Sequence, residues 1–94
     1  MPVTVHHPRY RALQGAMAAW RKAAGLSQVQ LAQRLHVGQS YVSKIERGEA
    51  YVDVLFFAEW CAACGVRAGQ ALDGVLAIPL GLQDIRRQEG SGQA

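Results

Sequence analysis

Ninety-four residues, half of them apolar, suffice for one compact domain with a modest core and leave no room for two. No run approaches the roughly twenty apolar residues that cross a bilayer, and Met1 to Pro8 lacks the apolar centre of a secretion signal, so the expectation is a soluble, cytoplasmic protein with no membrane partner. The net charge of +3 conceals an asymmetry: residues 1–50 carry seven Arg or Lys against two Glu, and residues 51–94 carry three against five acidic groups. A basic half can sit on phosphates while the other half faces away, although ordinary solvated surface has the same composition.

Residues 1–8 read as a flexible leader, in which His6 and His7 are tail residues rather than ligands. From Arg9 to Ala24 the apolar residues Leu13, Met17, Trp20 and Ala24 recur at steps of four and three, which predicts an amphipathic helix closed by Gly25. Ser27 with Gln30 three residues on makes a capping-box pattern, so a second helix starts there with Leu31, Ala32 and Leu35 inward. Residues 36–38 form a turn. A third helix from Gln39 to Arg47 puts Val42 and Ile45 inward and stops at Gly48. Val52 to Cys64 and Arg67 to Ala77 are predicted as fourth and fifth helices, ended by Gly65 and near Pro79. Residues 78–94 read as an extension, a short helix or an extended arm, running into a polar, glycine-rich tail. The fold class expected is therefore all-α, about five helices over residues 9–77.

The centre of the chain carries the functional signal. Two short helices meeting steeply need a small residue at the crossing and apolar anchors on both sides of the turn; Ala32 with Leu31, Leu35, Val37, Val42 and Ile45 supplies them. On the second of these helices Gln39, Ser40, Ser43, Lys44 and Arg47 share the face opposite Val42 and Ile45. Free polar side chains at a helix N-terminus are what major-groove reading requires. Gln39 suits direct readout, because its amide can accept from adenine N6 and donate to N7. Ser40, Ser43 and Lys44 are further base-edge candidates, and Arg47 near the helix end suits phosphate. Tyr41 is left between packing beside Ile45 and meeting a phosphate, and Arg9 and Arg11 could reach the DNA backbone from a basic arm.

The stretch GLSQVQLAQRLHVGQSYVSKIERG, with its flanks over residues 13–76, resembles the Xre family of Cro and phage-repressor type. The resemblance implies a lambda-repressor-like helix-turn-helix domain that binds double-stranded DNA. It further implies that Gln28 grips the DNA backbone and buttresses the next reader, and that Arg21 and Glu46 form a partly buried structural ion pair. His36 departs from the family, which usually has glycine at a positive φ in that turn; histidine tolerates the position at moderate cost.

A competing resemblance lies in Trp60-Cys61-Ala62-Ala63-Cys64, which is similar to the thioredoxin active site. About thirty residues follow, too few for that fold, and the proline usual between the cysteines is missing. At helical spacing Val54, Phe57, Cys61 and Cys64 share one stripe, which makes the thiols small core groups. No metal is expected, since His6, His7 and His36 are not spaced to complete a site with two thiols. No cofactor and no catalytic constellation are expected either, so the chain is read as not an enzyme, with a dithiol oxidoreductase the least favoured alternative. Phe56, Trp60 and Ala63 form a second apolar stripe that predicts a homodimer through helix four or five, with burial beneath residues 79–87 as the alternative. The reading as a whole is a transcriptional regulator, most concretely a repressor on a palindromic operator, acting at the nucleoid. Its rival is an antitoxin-like or phage accessory protein whose main partner is a toxin or other protein.

Overall fold

The computed structural model describes residues 7–79, and among them it contains five helices and no strand. These are α1 (Pro8–Ala23), α2 (Gln28–Leu35), α3 (Gln39–Glu46), α4 (Val54–Ala63) and α5 (Ala68–Ala77). The all-α, five-helix expectation holds. Residues 1–6 and 80–94, with most of the leader and of the extension, lie outside the described residues.

Helices α1, α2 and α4 start at residues whose side chains cap them. Pro8, with its φ already fixed and no N–H to satisfy, opens α1 one residue earlier than expected, and His7 Nδ1 accepts from the Arg9 backbone N–H at 3.1 Å. Ser27 Oγ accepts from Gln30 N at 3.0 Å while Gln30 Oε1 accepts from Ser27 N at 2.8 Å, the reciprocal capping box. Asp53 Oδ1 accepts from Phe56 N at 2.8 Å, so α4 begins at Val54 and not at Val52. Ala24, expected on the inner face of α1, is instead its exposed C-cap.

The core joins all five helices. Met17, Leu31, Val42, Ile45, Trp60 and Cys61 are its largest fully buried side chains, with Leu26, Ala32, Leu35, Phe57 and Cys64 around them and Ala68 and Ala71 of α5 packed against the cluster. The turn between α2 and α3 hangs on His36, whose φ of 57° and ψ of 41° are left-handed, with Val37 N donating back to Ala32 O at 3.0 Å. Gly48 ends α3 at φ +75°, and a Cβ there would stand 3.0 Å from Gln14 Oε1. Gln14 needs that room because its amide donates to the Glu46 carbonyl, tying α1 to the end of α3.

Two expectations for α4 are corrected. Trp60, assigned to an outer stripe, is fully buried at 0 % exposure, its indole N–H donating to Met17 O at 3.0 Å. On a helix it lies only about 60° from Phe57, inside the width of an ordinary core-facing stripe. Val54, assigned to the core stripe, is 80 % exposed because it occupies the first turn, beyond the edge of the core.

Candidate nucleic-acid interface

The short turn through His36 joins α2 to α3, and burial of Val42 and Ile45 turns the opposite face of α3 outward. That face carries exposed Gln39, Ser40, Lys44 and Arg47, with Ser43 half-buried among them. The four base-edge candidates of this helix and Arg47 therefore share one surface. Gly38 is the N-cap of α3 and offers no side-chain hydrogen bond to it.

Behind this surface runs a chain of polar contacts. Arg21, on α1, donates from Nε to Glu46 Oε2 at 2.6 Å and from Nη2 to Oε1 at 3.0 Å, and from Nη1 to Leu26 O at 2.8 Å. The two side chains are 10 % and 7 % exposed, so the expected partly buried ion pair is present and bidentate. The hydrogen bond from Arg21 to Glu46 holds the guanidinium more firmly protonated than usual, against the opposing effect of burial. Gln28 Nε2 donates to Glu46 Oε1 at 3.0 Å, and Gln28 Oε1 accepts from Gln39 Nε2 at 2.7 Å. Gln28 thus buttresses Gln39, as the family resemblance implied.

The cationic residues divide. Arg47 donates from Nε and Nη2 to Glu49 at 3.0 Å each and from Nη1 to Ser43 Oγ. This pairing lowers the Glu49 carboxyl below its ordinary range and raises Arg47. Lys44 and Arg11 are exposed. Arg9 was expected near phosphate, but its Nη1 donates to the carbonyls of Val75 at 2.7 Å and Ile78 at 2.9 Å, closing the C-terminal end of α5. That assignment is corrected: Arg9 is a helix-end clamp.

Tyr41 packs on Phe56 edge-to-face, centroids 5.4 Å apart, and Phe56 in turn meets Trp60 at 6.3 Å. Ala63 is half-buried, its carbonyl accepting from Arg34 Nη1 at 2.9 Å. The stripe of Phe56, Trp60 and Ala63 is therefore not a free interface, since its largest member lies in the core. Burial pushes the Cys61 thiol up to about 11 and raises Cys64 as well, the opposite of the lowered value that a reactive thiolate needs.

Sequence reasoning missed Gln14, Arg34 and Tyr10 as inter-element ties. Tyr10 donates to Ala50 O at 3.3 Å and accepts from Val52 N, pinning the α3–α4 loop to α1. Long-range side-chain-to-backbone bonds of this kind leave no periodic trace in the sequence.

A small residue at the crossing, a left-handed turn and an exposed polar helix buttressed from behind define a helix-turn-helix DNA-binding module. The helix-turn-helix family matches residues 17–69. The chain belongs to that family, in its Xre/Cro branch. An Xre-family-like protein from Pseudomonas syringae pv. tomato is 38% identical, with a TM-score of 0.72 over 78% of this chain and 89% of its own. The clp gene regulator ClgR from Corynebacterium glutamicum is 29% identical, with a TM-score of 0.65 over 70% of this chain and 85% of its own. A hypothetical transcription factor from Neisseria is 27% identical, with a TM-score of 0.62 over 95% of this chain and 91% of its own. No curated protein sequence matches the chain significantly.

Proposed function

We propose that this protein is a sequence-specific, double-stranded-DNA-binding repressor of transcription, reading the major groove with α3 as a homodimer on a palindromic operator. The observation that carries this reading is the exposed Gln39 at the start of α3, held in one orientation by Gln28. A long side chain free in solvent loses rotamer entropy when it docks; one already held loses less, so a buttressed reader is suited to discrimination. Ser40, Ser43 and Lys44 complete the reading face, with Gln28, Tyr41, Arg11 and Arg47 on or near the phosphates. Residues 9–77 act as the DNA-binding unit, 78–94 as an extension, and the protein works in the cytoplasm at the nucleoid. Similarity to a gene regulator and to a hypothetical transcription factor supports the regulatory role.

Since Trp60 belongs to the core, the dimer face is better sought on α5, where Leu72 and Leu76 are exposed and line an apolar groove of about 320 Å³. Exposed aliphatic groups gathered beside a groove mark a contact surface, and a second copy of the chain is the occupant that the dimer reading requires.

Selection of bound sequences from a random duplex library, at a stated salt concentration, tests the reading. A two-fold symmetric site is expected, and Gln39→Ala should weaken binding by about 1–3 kcal/mol and relax one base position per half-site. Enrichment of no sequence at low or moderate salt would overturn it.

A further inference from the structure

Of the ten residues of α4, Glu59 alone is charged. A helix so apolar all round is ordinarily covered on every side. Phe57, Trp60 and Cys61 turn one face into the core, while Val54, Leu55, Ala58, Glu59 and Ala62 lie within an arc of about 140° on the other side of the helix. Val54 and Leu55 are 80 % and 76 % exposed, more than any other large apolar residue among those described. Glu59 and Ala62 also line a cleft of about 420 Å³ between the ends of α2 and α4, together with Arg34, Leu35, His36 and Ala63. We infer that this outer face of α4, with the cleft, is a docking surface for a basic amphipathic helix of another protein. The inference goes beyond the DNA reading and does not depend on it.

Charge decides the occupant. Glu59 makes no ion pair or side-chain hydrogen bond among the described residues, and neither α4 nor the loop of residues 48–53 holds a Lys or Arg. Arg34, on the far wall of the cleft, gives its Nη1 to the Ala63 carbonyl at 2.9 Å. A carboxylate in the middle of an apolar face loses hydration once that face is covered, so the covering surface must bring a cation. Two copies packed α4 against α4 about a two-fold axis would instead bring their Glu59 carboxylates together near the midpoint of both helices, with no base to separate them. A foreign helix with Lys or Arg opposite Glu59 and aliphatic side chains around it meets both demands, in the helix-in-groove manner.

Shape agrees with charge. The large side chains Val54 and Leu55 stand at the start of α4, and beyond them Ala58 and Ala62 keep the surface low as far as the cleft. That low stretch leaves room for the partner's own aliphatic groups and for the methylene stem of its basic residue, whose charged head reaches Glu59.

The test pans the full chain, at a stated salt concentration, against a displayed library of single-helix peptides randomised on one face, and measures the enriched peptides by fluorescence anisotropy. Apolar residues at i, i+3 or i+4, and i+7, with Lys or Arg among them, should be enriched. Leu55→Gln, at a position that solvent already surrounds, should weaken such a peptide about tenfold. Glu59→Lys should weaken it at least several-fold, and a peptide with Glu in place of its basic residue should bind Glu59→Lys better than it binds the wild-type chain. Leu76→Glu, on α5, should leave peptide affinity unchanged. No enrichment, enriched peptides without a basic residue, or affinities indifferent to both Leu55→Gln and Glu59→Lys would overturn the inference. So would light scattering in which Leu55→Gln turns a dimer of the chain into monomers, since the face would then belong to a second copy.

Discussion

Burial decides what the charged and polar side chains of this domain can do. Arg21 and Glu46 are nearly enclosed, and each is the other's main partner. Removing one strands the other where water cannot replace it. Glu46→Ala should therefore cost about 3–5 kcal/mol, read from urea unfolding, a large part of what a small domain has. Arg47 and Glu49 show the contrasting regime, half-exposed and worth little to the fold. On the proposed reading of Arg47 as a phosphate contact their pairing matters for DNA, because Glu49 already holds the guanidinium. Glu49→Gln should tighten DNA binding several-fold at low salt and steepen the salt dependence by about one phosphate contact. Cys61 adds a pH dependence. Below the thiol's unfolded value, near 8.5, both states hold the proton and the group is silent. Above it the unfolded chain loses its proton first while the buried thiol, raised to about 11, keeps it, so stability falls as pH climbs through that interval. Unfolding midpoints between pH 8 and 10 should drop less in Cys61→Ala than in the wild-type chain.

At the scale of the helices, Trp60 holds α4 against α1 by its burial and by its bond to Met17 O. Trp60→Ala should cost about 3–5 kcal/mol in thermal or chemical unfolding, as a core truncation does. A variant of undiminished stability would return Trp60 to the surface. This residue marks where sequence reading stopped. Helix positions, the capping box and the inward faces of α2 and α3 were legible because periodicity and capping chemistry are local. The ion pair and the role of Gln28 came through family resemblance, not through spacing. The burial of Trp60 was not legible, because helix α4 is apolar on more than one face and only its crossing with α1 determines which aromatic is covered. Arg9 was misread for a related reason: a basic residue near a chain end gives no sign that it will close the far helix, α5.

For the whole molecule, the proposed dimer turns a local reading face into a geometric constraint on DNA. A single α3 spans only a few base pairs, and its polar contacts alone leave many competing sites. Two copies related by a two-fold axis would place two such helices on one face of the duplex, about 34–36 Å or 10–10.5 base pairs apart. Half-sites then contribute together only if both lie on that face, since the second contact benefits from the effective concentration set by the first. Inserting five base pairs between the half-sites of the selected operator turns one of them to the opposite face of the helix. Affinity should fall at least tenfold, as measured by titration at constant salt, toward that of a single half-site. Leu76→Glu, at an α5 position already 55 % exposed, should leave the fold intact and weaken binding to the intact operator in the same way. If five inserted base pairs change nothing, each subunit binds alone and the exposed leucines of α5 serve some other contact.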